Sequence, residues 1–178
     1  MPCTVSEDYM SQKELLPVIS EEGEFIRLAP RSECHNGESM LLHPVVHLHI
    51  INSEGELFLQ KRSMTKDIQP GRWDTSVGGH VDPGETVEEA LRREAAEEAG
   101  MDGFKYVFIK KYIWQSDRER ELVHSFYTRC DKEPETDPGE IDEGRFWSRK
   151  EIEDNLGTGT FTPNFEHEYR QVLKDCLN

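Results

Sequence analysis

Apolar residues fall along this chain in blocks, and the spacing within each block names its element. Leu15 to Ser20 and Glu24 to Ala29 flank a Glu-Glu-Gly turn, which predicts a hairpin within residues 1–30. In Leu41 to Ile51, Val46, Leu48 and Ile50 alternate with His47 and His49 at the period of a strand. Asn52 to Glu56 turns the chain into a strand at Leu57 to Gln60, and Met64 to Arg72, holding Pro70-Gly71, is a loop. Trp73 to Val81 is short, strand-like and interrupted by glycine, with Trp73 expected in the core. Thr86 to Ala99 has no internal Gly or Pro and stops at Gly100; its Val87, Ala90, Leu91, Ala95 and Ala99 recur at helical spacing. Phe104 to Trp114 and Leu122 to Cys130 flank a charged turn at Ser116 to Arg120 and predict a second hairpin. After an acidic loop, Asp131 to Asp142, comes a brief strand at Arg145 to Trp147, and Ser148 with Glu151 forms a capping box that opens a helix. A last helix is expected from Pro163 to Leu177, with Phe165, Tyr169, Val172, Leu173 and Cys176 on one face.

The bulk numbers narrow this picture. A length of 178 residues suits one domain with a sizeable core. With 36 acidic against 21 basic residues the net charge is -15, which argues against a broad grip on nucleic acid. The four cysteines, Cys3, Cys34, Cys130 and Cys176, form no CxxC pair, so neither a zinc knuckle nor a disulfide scaffold is expected, and a reducing cytoplasm fits. Met1 to Ser11 is polar, and no apolar run is long enough to span a bilayer, so no membrane partner is expected.

Chemistry enters with the helix at Thr86. Glu94, Glu97 and Glu98 stand at positions i, i+3 and i+4, so their carboxylates share one face. Like charges that close repel, and a helix selected for stability alone would intersperse lysines; a solvated acidic face is the bland alternative. Magnesium, with manganese as a substitute, takes such carboxylates together with substrate phosphates. Glu85, just before the helix, offers another carboxylate.

The whole string Gly79 to Met101 resembles the Nudix box: a Gly, five residues, Glu85, seven residues, Arg93-Glu94, Ala95, one residue, Glu97-Glu98, one residue, Gly100 and Met101. The resemblance implies an α/β class fold, an α/β/α sandwich with a mixed central sheet and the box as loop, helix and loop. It implies hydrolysis of a diphosphate joined to another moiety, with Glu94, Glu97 and Glu98 as metal ligands beside Glu85 and Gly79. Arg93 is expected to orient Glu85 or a neighbouring glutamate, as supporting residues around metal sites do.

From about Arg31 to Phe126 the chain also looks like the isopentenyl-diphosphate isomerase branch of that superfamily. There a metal is held by three histidines and two glutamates, and the matching positions are His35, His43, His80, Glu119 and Glu121. Arg62 and Lys66 match residues that grip the diphosphate. The match fails at Gly78: isomerisation needs a cysteine there to protonate a carbon-carbon double bond, and glycine carries no acid. An intact box without that cysteine points to a hydrolase of a nucleoside diphosphate derivative or similar small molecule. The competing readings are an isomerase and a module that binds a diphosphate without cleaving it. A homodimer is compatible with the family, but the sequence offers no interface.

Overall fold

A computed structural model of the protein describes residues 14–66 and 68–177. Cys3 and the polar stretch Met1 to Ser11 lie outside the described residues. Strands β1 (Leu15–Ile19) and β2 (Phe25–Pro30) pair antiparallel, giving the expected N-terminal hairpin. A single turn, α1 (Arg31–Cys34), follows; four residues are too few for a helical period to register in a sequence. The main sheet has seven strands: β3 (Leu42–Ile51), β4 (Leu57–Arg62), β5 (Trp73–Asp74), β6 (Val77–His80), β7 (Val107–Gln115), β8 (Arg120–Arg129) and β9 (Ile141–Trp147). Its order is β5-β4-β3-β8-β7, with β6 also on β3 and β9 on β4. β3 and β8 run parallel, and the other pairs are antiparallel, so the sheet is mixed.

Helix α2 (Val87–Ala99) is built as its sequence requires. Thr86 caps it, accepting from the Glu89 amide while the Glu89 carboxylate accepts from the Thr86 amide. Gly100 ends it in the left-handed region at φ 60°, a conformation that costs glycine little. Its small buried face, Ala90, Leu91, Ala95 and Ala99, packs on Val46, Leu48 and Ile50 of β3, Phe58 of β4 and Val77 of β6. The opposite face of the sheet carries Ile51, Leu57, Leu59, Trp73 and Trp147, covered by Ile152 of α3 (Arg149–Asn155) and Phe165 of α4 (Pro163–Glu168). These layers make an α/β fold with helices on both faces.

Both faces of β3 are therefore buried, and His47 and His49 point toward the α4 layer rather than solvent. Two further boundaries differ from the expectation. β9 begins at Ile141 instead of Arg145, because the end of the acidic loop pairs with β4. The last helix is α-helical only to Glu168 and continues as a π-helical turn, Tyr169–Leu173. Among the described residues no helix is long and apolar enough to cross a membrane, and Cys34, Cys130 and Cys176 are free thiols.

Candidate functional site

β3 pairs with β6 over Val45 to Leu48 but meets β4 only at Ile51 and Leu57, so the sheet parts between β6 and β4. A cleft of about 330 Å³ opens there, lined by residues of β3, β4, β6, α2 and the loops at Arg62 to Gln69 and Ser116 to Glu119. Two of the expected glutamates reach it. Glu98 accepts from the Gly78 amide and from Gln60 Nε2, each at 3.1 Å, with the same oxygen Oε2. Glu94 lies against Gly79, where any Cβ would collide with its carboxylate. Burial pushes the Glu98 carboxyl up to about 8 and the Glu94 carboxyl up to about 7, the latter despite the Arg93 guanidinium. Glu97 behaves differently. Its side chain is 60% exposed, 3.4 Å from Arg93, and it stands outside the cleft lining.

Arg93 is a hub. It donates to Glu85 at 3.1 and 3.2 Å, to Glu94 at 2.8 Å and to the His80 carbonyl at 3.0 Å. Burial works against its charge, yet Glu85 and Glu94 hold its pKa above the ordinary arginine value. Glu85 is thus taken up by Arg93 and, like it, does not line the cleft.

A second group sits at the other end of the cleft. The rings of His35, His43 and His80 lie 5.2 to 5.4 Å apart, centroid to centroid. Ligand atoms of these three lie within 4.8 Å of one another, as do those of His43, Glu119 and Glu121. Glu119 is 3.0 Å from His35 Nε2, and Glu121 is 3.9 Å from His43 Nε2. The five residues come from α1's end, β3, β6, the turn before β8 and β8 itself, so only the tertiary fold unites them.

The donor set fits a cation. His43 Nδ1 lies 3.0 Å from the Leu41 carbonyl, while its buried Nε2 has no hydrogen-bond partner. That is the arrangement of a histidine whose second nitrogen is oriented for a metal. Burial lowers the pKa of His43, and burial with its imidazole neighbours His43 and His35 lowers that of His80 further, so both rings favour the neutral form that a metal ligand needs. Burial and Glu119 raise Glu121 to about 8. His47 and Arg62 oppose that rise without cancelling it, and a bound cation would favour the ionised form.

Comparison with known proteins matches this arrangement to a named domain. The family model described as the NUDIX domain matches residues 41–169. The chain belongs to the Nudix family. It is 31% identical over 142 residues to isopentenyl-diphosphate Delta-isomerase 1 of Photorhabdus laumondii, covering 75% of this chain and 81% of that one. It is 32% identical over 141 residues to an uncharacterized Nudix hydrolase of Listeria monocytogenes, covering 70% and 74%. Among solved structures, DR0079 from Deinococcus radiodurans superposes with a TM-score of 0.77 at 26% identity, over 89% of this chain and 98% of that one. Against the isomerase of Corynebacterium efficiens the chain spans about half, 52%, of the relative's length.

The Nudix box residues thus fall into two groups, Glu94, Glu98 and Gly79 at the cleft and Arg93, Glu85 and Glu97 behind or beside it. With the box intact, the enzyme is of the pyrophosphohydrolase class. Arg62 and Lys66 line the cleft, but each already faces a carboxylate: Arg62 meets Asp74 at 3.4 Å and Lys66 meets Glu140 at 2.7 Å. Gln60, which braces Glu98, was not legible. Nor was the buried carboxylate Glu168, which lies 2.6 Å from His47 Nδ1 and 2.7 Å from His49 Nε2 and accepts from Tyr112 at 3.0 Å and from Ser125. Two histidines in a strand buried on both faces were the signal that such a partner had to exist.

Proposed function

We propose that this Nudix enzyme hydrolyses a small organic diphosphate, a nucleoside diphosphate derivative or similar, with magnesium or manganese held by Glu94 and Glu98 and Glu97 at the rim. The reading is carried by one observation: two half-buried carboxylates of α2, raised toward neutral by desolvation, converge on a cleft beside Gly79. When bound there, the cation neutralises phosphoryl oxygens and acts as a Lewis acid toward the diphosphate. His35, His43, His80, Glu119 and Glu121 would hold a further cation. Arg62 and Lys66 exchange Asp74 and Glu140 for phosphate oxygens, Arg62 by two parallel N–H bonds and Lys66 as a point charge. Arg93 keeps Glu94 and Glu85 fixed, so the ligand geometry exists before substrate arrives. Turnover of a panel of nucleotide sugars, dinucleotides, nucleoside diphosphates and prenyl diphosphates tests the reading. Magnesium-dependent release of phosphate or nucleotide is expected, lost by about a hundredfold or more in Glu98→Gln with the melting curve preserved. No turnover anywhere on the panel, with intact ligand bound tightly, would favour the binding module.

The histidine cluster and the Photorhabdus relative favour a second reading, an isomerase of isopentenyl diphosphate. Gly78 supplies no acid for the carbon-protonation step. Formation of the dimethylallyl isomer by the pure enzyme would decide for it.

A further inference from the structure

His47 and Gly78 are register partners across β3 and β6, and the histidine ring lies over the glycine. A Cβ on Gly78 would stand 3.4 Å from the ring's Cδ2 and 3.7 Å from its Nε2. The bare backbone at Gly78 therefore leaves this edge of the imidazole open to the cleft, which both residues line. The opposite edge is fixed, with Nδ1 at 2.6 Å from Glu168 Oε2. Glu168 is fully buried and saturated by His47, His49, Tyr112 and Ser125. Burying a carboxylate among donors is expensive, and apolar residues of similar volume commonly serve a core as well or better. His49 is a sealed member of this network, with no exposure, whereas His47 shows 8% of its surface, on the cleft side.

We propose that His47, clamped at Nδ1 by the Glu168 carboxylate, presents Nε2 over Gly78 to the phosphoryl oxygens of the substrate and is a catalytic residue of the hydrolysis. The inference rests on the diphosphate reading above. Burial opposes a charge on His47, but Glu168 more than compensates and brings the imidazole up to about 9, so it is a cation at neutral pH. The groups facing it are Glu168, with His49, Tyr112 and Ser125 behind, Asp74 and Glu121, which add attraction, and Glu98, bound to the Gly78 amide. Arg62 and Lys66 lie nearer solvent and are committed to carboxylates in the free enzyme. Of these three cations lining the cleft, His47 is the least exposed, and its ring lies beside Gly78, whose amide Glu98 accepts from. The space that a side chain at Gly78 would fill is bordered instead by the edge of the His47 ring.

Two measurements test this, both with inorganic pyrophosphate and magnesium as the probe. Calorimetry should show His47→Gln binding pyrophosphate about 10- to 100-fold more weakly than the native chain, the worth of one hydrogen bond to a charged group. Nitrogen-15 NMR of the histidine side chains in the native chain should show the His47 Nε2 signal moving on addition of pyrophosphate while His49 stays still. Unchanged affinity in the variant, or a His47 signal that does not move, overturns the proposal; should the variant fail to fold, the native-chain spectrum decides. Turnover of a panel substrate with an unmoved His47 signal keeps the hydrolase reading and removes this site. A moved signal with no turnover of any substrate keeps the His47 phosphate contact but removes both the hydrolysis and its catalytic role, and a native chain that binds no pyrophosphate removes the site as well.

Discussion

Gly79 shows how a single missing side chain sets a site. Because the Glu94 carboxylate occupies the space of its Cβ, Gly79→Ala must displace either Glu94 or β6. On the proposed reading Glu94 holds the cation, and a shift of even an ångström there is costly, so turnover on the panel substrate should fall at least about tenfold and manganese should bind more weakly, read by steady-state kinetics and manganese titration. Retained turnover and affinity would mean that Glu94 holds no essential cation. Glu168 carries the complementary lesson, a side chain that others depend on. Glu168→Ala strands His47, His49, Tyr112 and Ser125 without their acceptor, and breaking a buried charge pair costs about 3–5 kcal/mol. Urea unfolding should show a loss of that size, and a loss under about 1 kcal/mol would show the network to be dispensable. The sequence disclosed Glu94, Glu97 and Glu98 because helical spacing is a local property. It concealed Glu168 because His47 lies 121 residues away, and no local period links a strand near the start to a helix near the end. It also could not tell which of the three glutamates faces inward: spacing puts them on one face, but only packing against β6 turns Glu94 and Glu98 to the cleft and leaves Glu97 exposed outside its lining.

At the scale of elements, legibility tracked how many turns or alternations each segment offers. α2 spans 13 residues and its bounds follow from Thr86 and Gly100. The capping box at Ser148 and Glu151 is present as expected, with the Ser148 hydroxyl accepting from the Glu151 amide at 3.2 Å. β9 was read short because Asp142 and Glu143 look like loop, although an antiparallel strand with one solvated face tolerates exposed acids. The final helix read as continuous, yet it widens immediately after Glu168, so that Glu168 and Tyr169 are both buried, one against the histidines and one among Phe161 and Phe165. Widened turns of this kind recur at functional sites. The capping of α2 gives an independent check on what supports the glutamates. Thr86→Ala removes one half of the box and should cost about 0.5–2 kcal/mol in urea unfolding. Because the cap lies two turns before Glu94, panel turnover should change far less than in Gly79→Ala; an equal loss would mean that helix position, not the Glu94 contact, limits the site.

The whole molecule carries a net charge of -15, and its response to pH in the absence of metal follows from the sign of each shift. Glu94 and Glu98 are raised from 4.5 to about 7 and about 8. Between the ordinary and raised values the folded chain binds more protons than the unfolded one, so stability falls as pH rises through those values. His47, raised from 6.5 to about 9, acts in the same sense over a higher window. Glu168, held well below 4.5 by His49 and His47 against the effect of burial, acts oppositely, and its contribution is lost only as pH drops below the ordinary carboxylate range. The metal-free protein should therefore melt at progressively lower temperature from about pH 6.5 to about pH 9. Magnesium should reverse this. A cation binds the ionised carboxylates and stabilises the folded chain in proportion to its affinity, so the gain in melting temperature on adding magnesium should be larger at about pH 8.5 than at about pH 6. In the double variant Glu94→Gln, Glu98→Gln the gain should flatten and the decline should lessen to the part due to His47 and Glu121, because amides neither release protons nor hold the ion. An equal magnesium gain at both pH values in the native chain would mean that the ion binds elsewhere, and Glu94 and Glu98 would lose their claim to the metal.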